Sequence, residues 1–174
     1  MNGKFQLYTG NGKGKTTAAL GLSVRAACNG LKVYFGQFMK GREYSELCLP
    51  DHFSELIVME QFGTPKLICK GEMPSEEDLQ FAWSGLEKTR AAMISGEYDI
   101  IVADELNVTV YMGLLKEDDV VEFIGQRPYD VELILTGRYA PDSFIEIADL
   151  VTEMKEIKHY YTTENLLARK GIEF

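Results

Sequence analysis

The sequence predicts an α/β fold in which helices cover both faces of a mainly parallel sheet, giving three layers. Strand-like segments alternate along the chain with helical ones, and this alternation favours parallel strands joined by right-handed crossovers. A glycine-rich loop separates the first strand from the first helix. The segment 99–103 begins with Asp99 and continues as an uninterrupted apolar run to Ala103. Such a run is typical of a central strand that is covered on both faces.

The order of elements follows from these patterns. Strands are predicted at Phe5–Tyr8, Leu31–Phe38, Leu56–Met59, Asp99–Ala103, Val131–Thr136 and Leu150–Ile157. Helices are predicted at Thr16–Cys28, closed by Asn29-Gly30, and from the N-cap Ser75 to about Gly96. Met39–Ser54 is expected to be an irregular, mobile loop. With 174 residues and neither a repeat nor a linker, the chain is predicted to form a single domain, 1–174.

Charge argues against a nucleic-acid partner. The chain has 18 basic and 27 acidic residues and a net charge of −9, so a phosphate backbone would be repelled unless the cations were concentrated on one face. The visible basic concentrations are Lys13 with Lys15 and Arg169 with Lys170. The net charge does not exclude a small anionic ligand that is bound by a local feature of the chain.

A cytoplasmic location is expected, without a membrane partner. The longest apolar stretches, such as Ile100–Ala103, are too short to span a bilayer. The start, Met1–Lys4, lacks the apolar region of a signal peptide. Cys28, Cys48 and Cys69 are widely spaced, which favours reduced, partly buried thiols over disulfides or a zinc site.

The glycine-rich loop has the sequence of a P-loop. Its glycines allow successive backbone N–H groups to point inward at an anion, and the following helix adds its positive end. Lys15 would contact phosphates, and the Thr16 hydroxyl would bind Mg²⁺. ATP with magnesium is therefore the predicted ligand, and the alternative is a glycine-rich turn that binds nothing. The predicted binding residues are Gly10, Asn11, Gly12, Lys13, Gly14, Lys15, Thr16 and Thr17.

Two further strands end in charged residues. Asp104 and Glu105 follow an apolar strand, and a carboxylate there can hold the metal of a P-loop directly or through water. A solvated acidic turn is the alternative. Arg138 follows the strand that ends at Thr136, where it could clamp a phosphate or simply be exposed. Ligands of open α/β sheets bind beyond the carboxyl ends of the strands, where all three residues are expected.

Together these segments resemble the P-loop family of ATP:corrinoid adenosyltransferases. The general P-loop pattern has its first glycine at the position of Thr9, and this family has a threonine there instead. The matching segments, in family order, are TGNGKGKTTAALG (Thr9–Gly21), QFMKG (Gln37–Gly41), VADEL (Val102–Leu106), LTGR (Leu135–Arg138), ADLVTEMKEIKH (Ala148–His159) and ARKGIEF (Ala168–Phe174).

The resemblance implies a RecA-like fold, a homodimer, and a transferase that moves the 5′-deoxyadenosyl group of ATP to Co(I) of a corrinoid such as cobalamin, releasing triphosphate. It also implies a flavoprotein reductase as the partner that supplies electrons. Lys15 and Arg138 would be the catalytic residues, Lys40 would line the site, and Thr16 with Asp104 and Glu105 would hold Mg²⁺. The alternatives are a regulatory ATP-binding module and a P-loop phosphotransferase or ATPase.

The corrinoid site is expected to differ from that of relatives. The family usually has an aromatic cluster with a tryptophan after the third strand. In this sequence Phe62 is the only aromatic residue in the range 60–68, and Trp83 lies in the next helix. We expect Phe62, or else Tyr44 or Phe53, to form the apolar wall beside the cobalt. The alternative for Phe62 is a place in the core.

Overall fold

The computed structural model describes residues 2–66, 68 and 72–174, and is built on a six-stranded sheet in the order β3-β2-β4-β5-β1-β6. Every pair of neighbouring strands is parallel. All their carboxyl ends therefore lie at one edge of the sheet. The strands are β1 (Phe5–Thr9), β2 (Val33–Phe38), β3 (Ile57–Phe62), β4 (Ile100–Asp104), β5 (Glu132–Thr136) and β6 (Leu150–Glu153).

The described part of the chain contains seven α-helices, of which the first six lie between strands and the seventh follows β6. They are α1 (Lys15–Cys28), α2 (Leu49–Phe53), α3 (Glu76–Ile94), α4 (Leu106–Tyr111), α5 (Glu117–Gly125), α6 (Asp142–Ile147) and α7 (Tyr160–Glu164). Two short 3-10 turns, Ser45–Cys48 and Ser54–Leu56, flank α2. None of the helices in the described ranges has the length and apolarity needed to cross a bilayer.

The sheet separates two hydrophobic cores. On one face, Ala19 and Ala26 of α1 pack with Phe35 and Val102 of the sheet. On the other face, Leu86 of α3 packs with α4, α5 and α6, and the strands contribute residues such as Leu133. Because β4 contributes to both cores, it must be apolar along its length, which explains why its sequence does not alternate.

Local signals in the sequence predicted two helix ends correctly. Ser75 accepts a hydrogen bond from the Asp78 backbone N–H, and the Asp78 side chain accepts one from the Ser75 backbone N–H, so a capping box begins α3. Gly30 closes α1 with a φ of 80°, the left-handed conformation that glycine adopts without strain.

Several boundaries differ from the prediction. Residues 39–54 were expected to be irregular, but they contain α2 and a 3-10 turn, since Leu49 and Phe53 pack against the core on the α1 side. The last strand ends at Glu153 rather than Ile157. Helices α4 to α7 lie in segments without an assignment from sequence. They are short, so their side-chain periodicity is too brief to detect.

The cysteines are also placed differently from expectation. Cys28 and Cys48 are free thiols that are exposed to solvent rather than partly buried. Cys28 ends α1 on its solvent side. Cys69 lies outside the described residues.

Phe62 belongs to the core, where it determines how closely α3 approaches the sheet. Its side chain is 4% exposed, and its ring lies 5.5 Å from that of Phe38. A Cβ atom added at Gly85 would lie 2.6 Å from Cγ of Phe62. Glycine is therefore required at this point of α3 because a larger residue would overlap the ring.

The Gly85→Ala variant is expected to be less stable by about 1–3 kcal/mol, since the added methyl group must displace a buried ring. The matched control is Gly21→Ala, in the middle of α1, where an added Cβ meets nothing within 4 Å. There, alanine should stabilise the helix by about 0.5–1 kcal/mol. Urea denaturation measures both, and a Gly85→Ala protein as stable as Gly21→Ala would contradict this packing.

Candidate nucleotide site at the carboxyl edge of the sheet

The P-loop adopts a conformation that depends on its glycines. Gly10 has a φ of 92° and Gly14 a φ of 124°, values that residues with a Cβ rarely adopt. The loop also packs closely on the residue after β6. The Gly12 N–H donates to the Met154 carbonyl at 2.6 Å, and a Cβ at Gly10 would lie 2.5 Å from the same oxygen. The segment after β6 thus packs against the P-loop and supports it.

Thr9, at the position of the first glycine in the general pattern, ends β1. Its Oγ1 accepts a hydrogen bond from the Ala140 backbone N–H at 3.4 Å. Ala140 lies in the loop that carries Arg138, so Thr9 links the P-loop to that second loop.

Lys15 is a buried cation that folds back over the P-loop. Its Nζ donates hydrogen bonds to the carbonyl oxygens of Gly10 at 2.7 Å and Gly12 at 2.9 Å. Burial lowers the pKa of Lys15, and Arg138 acts in the same direction, while Glu105 and Asp104 oppose the change. A phosphate oxygen is a stronger partner for an ammonium group than a carbonyl, so this side chain is suited to bind an anion held in the loop.

Asp104 joins three parts of the chain at the end of β4. The carboxylate is fully buried. Its Oδ1 accepts hydrogen bonds from the hydroxyls of Thr16 at 2.9 Å and Thr136 at 2.6 Å. Its Oδ2 accepts one from Lys40 Nζ at 2.9 Å. These partners satisfy a charge that would otherwise be costly to bury, and they hold Thr16 in place at the start of α1.

Lys40 forms a second ion pair, with Glu46, at 3.6 Å. Burial alone would lower the pKa of Lys40, but the neighbouring carboxylates of Asp104, Glu46 and Glu105 together outweigh burial, and the pKa is raised. Lys40 therefore stays charged. Its Nζ also lies 4.8 Å from the centre of the Tyr44 ring, a cation–π distance.

Glu105 follows in the left-handed conformation, with a φ of 62°. Its backbone N–H donates to Thr136 Oγ1 at 3.0 Å, and the residue lines a cavity over the P-loop. Burial raises the pKa of Glu105, and the Asp104 charge adds to this effect. The cavity, of about 300 Å³, is lined by Gly12, Lys13, Gly14, Lys15, Thr16, Thr17, Glu105, Arg138, His159, Ile172 and Glu173.

A second cavity of about 400 Å³ lies on the other side of the last residues of the chain. The residues that line both cavities are Thr16, Thr17, Glu105, Ile172 and Glu173. Lys40 and Tyr44 also line the second cavity, together with apolar atoms of Leu20 and Phe174. The two cavities form one extended depression along the carboxyl edge of the sheet.

The set proposed for magnesium is Thr16, Asp104 and Glu105. No group of three or more His, Cys, Asp or Glu side chains in the described ranges is arranged to hold a metal ion. Asp104 is occupied by its hydrogen bonds, whereas Glu105 and Thr16 both line the cavity. One carboxylate and one hydroxyl suit Mg²⁺, which keeps several water ligands and binds substrate phosphates.

The structure therefore brings most of the predicted residues together. Residues 12–17, Glu105 and Arg138 surround the first cavity, and Lys40 lies beside Asp104 at the second. Phe62 is not brought to either cavity and packs in the core. Phe53 packs against the core on the α1 side. Of the three aromatic candidates for the corrinoid wall, Tyr44 alone lines one of these two cavities.

Sequence reasoning missed two contributions to the site. The sequence pattern marks Thr136 only as the end of a strand, yet its hydroxyl links Asp104 and Glu105. Glu173, with its neighbour Ile172, lines the first cavity from the last turn of the chain. The segment ARKGIEF was visible in the resemblance, but a sequence pattern could not show where the chain returns to the P-loop.

Comparison with known proteins places the sequence in one family. The family model described as ATP:corrinoid adenosyltransferase BtuR/CobO/CobP matches residues 1–174. The corrinoid adenosyltransferases of Pseudomonas aeruginosa and Escherichia coli K12 are 32% and 31% identical over 99% and 97% of the chain, and over 84% of their own length. An uncharacterized protein of Nostoc is 36% identical over 99% of the chain, which spans about half (48%) of that relative.

Among solved structures, the flagellar accessory protein FlaH of Methanocaldococcus jannaschii has the same fold. The TM-score is 0.60 with 12% identity, over 87% of this chain and 71% of FlaH. The likeness confirms the RecA-like, three-layer α/β architecture. With a P-loop in the required place and a family match along its whole length, the chain belongs to the ATP:corrinoid adenosyltransferase family.

Proposed function

We propose that the protein transfers the 5′-deoxyadenosyl group of ATP to Co(I) of a corrinoid and releases triphosphate. The observation that carries the proposal is the convergence of Lys15, Glu105 and Arg138 on one cavity over the P-loop of a chain from this family. The same convergence supports ATP as the ligand.

In this reaction the protein has to position and stabilise rather than move a proton. The cobalt electron pair forms the new bond to C5′, and the C5′–O bond breaks with its electrons going to the triphosphate. The leaving group gains charge, which preorganised donors can stabilise. The P-loop residues 13–17, whose backbone N–H groups are candidate donors, line the space in which that charge would develop, together with Lys15 and Arg138.

Magnesium belongs to the proposal as well. When bound, Mg²⁺ would neutralise part of the triphosphate charge, held by Glu105 and the Thr16 hydroxyl. Asp104 would act mainly by orienting Thr16, to which it is hydrogen bonded at 2.9 Å.

The corrinoid is assigned to the second cavity, which adjoins the first. Its mixed apolar and polar lining includes the Tyr44 ring, and we favour Tyr44 over the buried Phe62 as the aromatic residue beside the corrinoid. A homodimer in the cytoplasm, served by a flavoprotein reductase, completes the proposal on the strength of family membership.

Product analysis tests the reaction directly. The protein is incubated with ATP, Mg²⁺ and chemically reduced cobalamin, and the phosphate products are separated. Triphosphate together with adenosylated cobalamin is the expected result. ADP would indicate phosphoryl transfer, and intact ATP would indicate a binding module; either would contradict the proposal.

Lys15→Ala is expected to weaken ATP binding by about 10- to 150-fold, because a charge-assisted contact to phosphate contributes roughly 1.5–3 kcal/mol. Lys32→Ala removes the same charge at an exposed residue just before β2, at the opposite edge of the sheet, and should leave affinity unchanged. Calorimetry provides both dissociation constants. Equal constants in the two variants would rule out the P-loop as the phosphate site.

Glu105→Gln should raise the Mg²⁺ concentration required for half-maximal activity, since one carboxylate ligand is lost. The exposed acid Glu146 in α6 supplies the control, Glu146→Gln. Because the pKa of Glu105 is raised, its protonation at lower pH should weaken magnesium binding in the wild type but not in Glu105→Gln. Identical magnesium titrations for wild type and Glu105→Gln would exclude Glu105 as a ligand.

A further inference from the structure

The last turn of the chain lies against the P-loop without fully burying a side chain. After Phe144, the described residues contain no fully buried side chain, and Ile172 remains 56% exposed. The turn is instead held by polar contacts. Lys13 Nζ donates to the Ile172 carbonyl at 3.1 Å, and Ser45 Oγ donates to the Phe174 carbonyl at 2.9 Å. A segment held in this way opens at low free-energy cost.

Glu173 is the centre of these contacts. Its Oε1 accepts hydrogen bonds from Lys13 Nζ at 2.7 Å, from Arg169 Nη2 at 3.3 Å and from the Tyr160 hydroxyl. Its Oε2 accepts from the Arg169 backbone N–H at 2.8 Å. Donors from the P-loop, the start of α7 and the last turn therefore converge on one carboxylate oxygen.

The place of this cluster connects it with the nucleotide. Lys13 is part of the P-loop, and both Lys13 and Glu173 line the first cavity, beside Lys15 and Arg138. Tyr160 and Arg169 lie behind the Glu173 carboxylate, as seen from that cavity, because they contact it without lining the cavity themselves. Moving Glu173 aside would expose two more donors to the same space.

We propose that Lys13, Tyr160 and Arg169 form an anion subsite that Glu173 occupies in this structure, and that a phosphate group of the triphosphate displaces Glu173 and takes the subsite. The inference rests on the proposed function, because that function makes triphosphate the ligand. The subsite adds Tyr160 and Arg169 to the P-loop residues that hold phosphate, and it gives the C-terminal turn a role in binding.

The physical case is a comparison of two anions for the same donors. Lys13 and Arg169 are 40% and 45% exposed in their pairs with Glu173, whose own side chain is 16% exposed. Ion pairs with one partner this open to solvent are screened and contribute modest net stability. A phosphate group offers more charge and more acceptor oxygens to the same donors. The carboxylate would also repel a bound triphosphate if it stayed beside it. The donors lower the pKa of Glu173, so it remains an anion and a competitor.

The exchange has a consequence for turnover. When Glu173 returns to the subsite, it competes with the released triphosphate for Lys13 and Arg169. The carboxylate would thus weaken the binding of both ATP and triphosphate. Because triphosphate binds less tightly in its presence, the product would be released more readily.

The test measures binding of inorganic tripolyphosphate by calorimetry, at fixed Mg²⁺ and without corrinoid. Glu173→Gln removes the competing charge and keeps the side chain's size. Its dissociation constant is expected to fall about three- to tenfold relative to wild type, the scale of one partly exposed charge interaction. The matched control, Glu164→Gln, removes the same charge at the exposed end of α7 and should change affinity less than twofold.

A double variant, Glu173→Gln with Arg169→Gln, tests the other half of the inference. If Arg169 binds the phosphate, the gain in affinity should disappear in the double variant. Tripolyphosphate binding to Glu173→Gln that equals or is weaker than binding to wild type would overturn the competition, and would make Glu173 a structural clamp. A gain that survives loss of Arg169 would overturn the subsite.

These outcomes are independent of the transfer reaction. A protein that shows the expected binding series but no adenosylated cobalamin would support the subsite and refute the proposed function. Active transferase with no difference between wild type and Glu173→Gln would do the reverse.

Discussion

The hydrogen bonds to the Asp104 carboxylate connect the sheet to the functional site. Asp104 ends β4, and its two oxygens bind Thr16 from the start of α1, Thr136 from the end of β5, and Lys40 from the segment after β2. A fully buried carboxylate is tolerated only when such partners surround it. The hydrogen bonds that offset the cost of burying this charge also hold the same partners in fixed positions around the P-loop.

The parallel sheet explains why so few residues are needed for this arrangement. Because every strand runs in the same direction, the residues that follow β1, β2, β4 and β5 meet at one edge. β5 lies between β1 and β4, so the hydroxyl of Thr136 can bridge the acidic residues of one neighbour while Gly137 N–H binds the Tyr8 carbonyl of the other at 3.1 Å. Both cations and carboxylates line the cavities, which suits a ligand that carries several negative charges together with a metal ion.

The two ends of the chain differ in how they are held. The first strand is buried between neighbours, whereas the final residues lie on the surface and are attached to the P-loop by Lys13 and Glu173. Burial holds β1 in place, whereas polar, partly exposed contacts allow the last turn beside the P-loop to move. A site built on this fold can therefore combine preorganised donors with a segment that exchanges partners when an anion arrives.

The sequence by itself determined the fold class, the P-loop, the strand that ends in Asp104-Glu105 and the position of Arg138, because each depends on neighbouring residues and on the rule that parallel strands share an edge. It could not separate the roles of Asp104 and Glu105, since the left-handed turn at Glu105 and its hydrogen bond to Thr136 arise only when β4 and β5 pair. Nor could it place Phe62 in the core rather than at a ligand, or bring Glu173 to Lys13 across 160 residues. Such contacts are long-range and are decided by packing, which local patterns in a chain do not record.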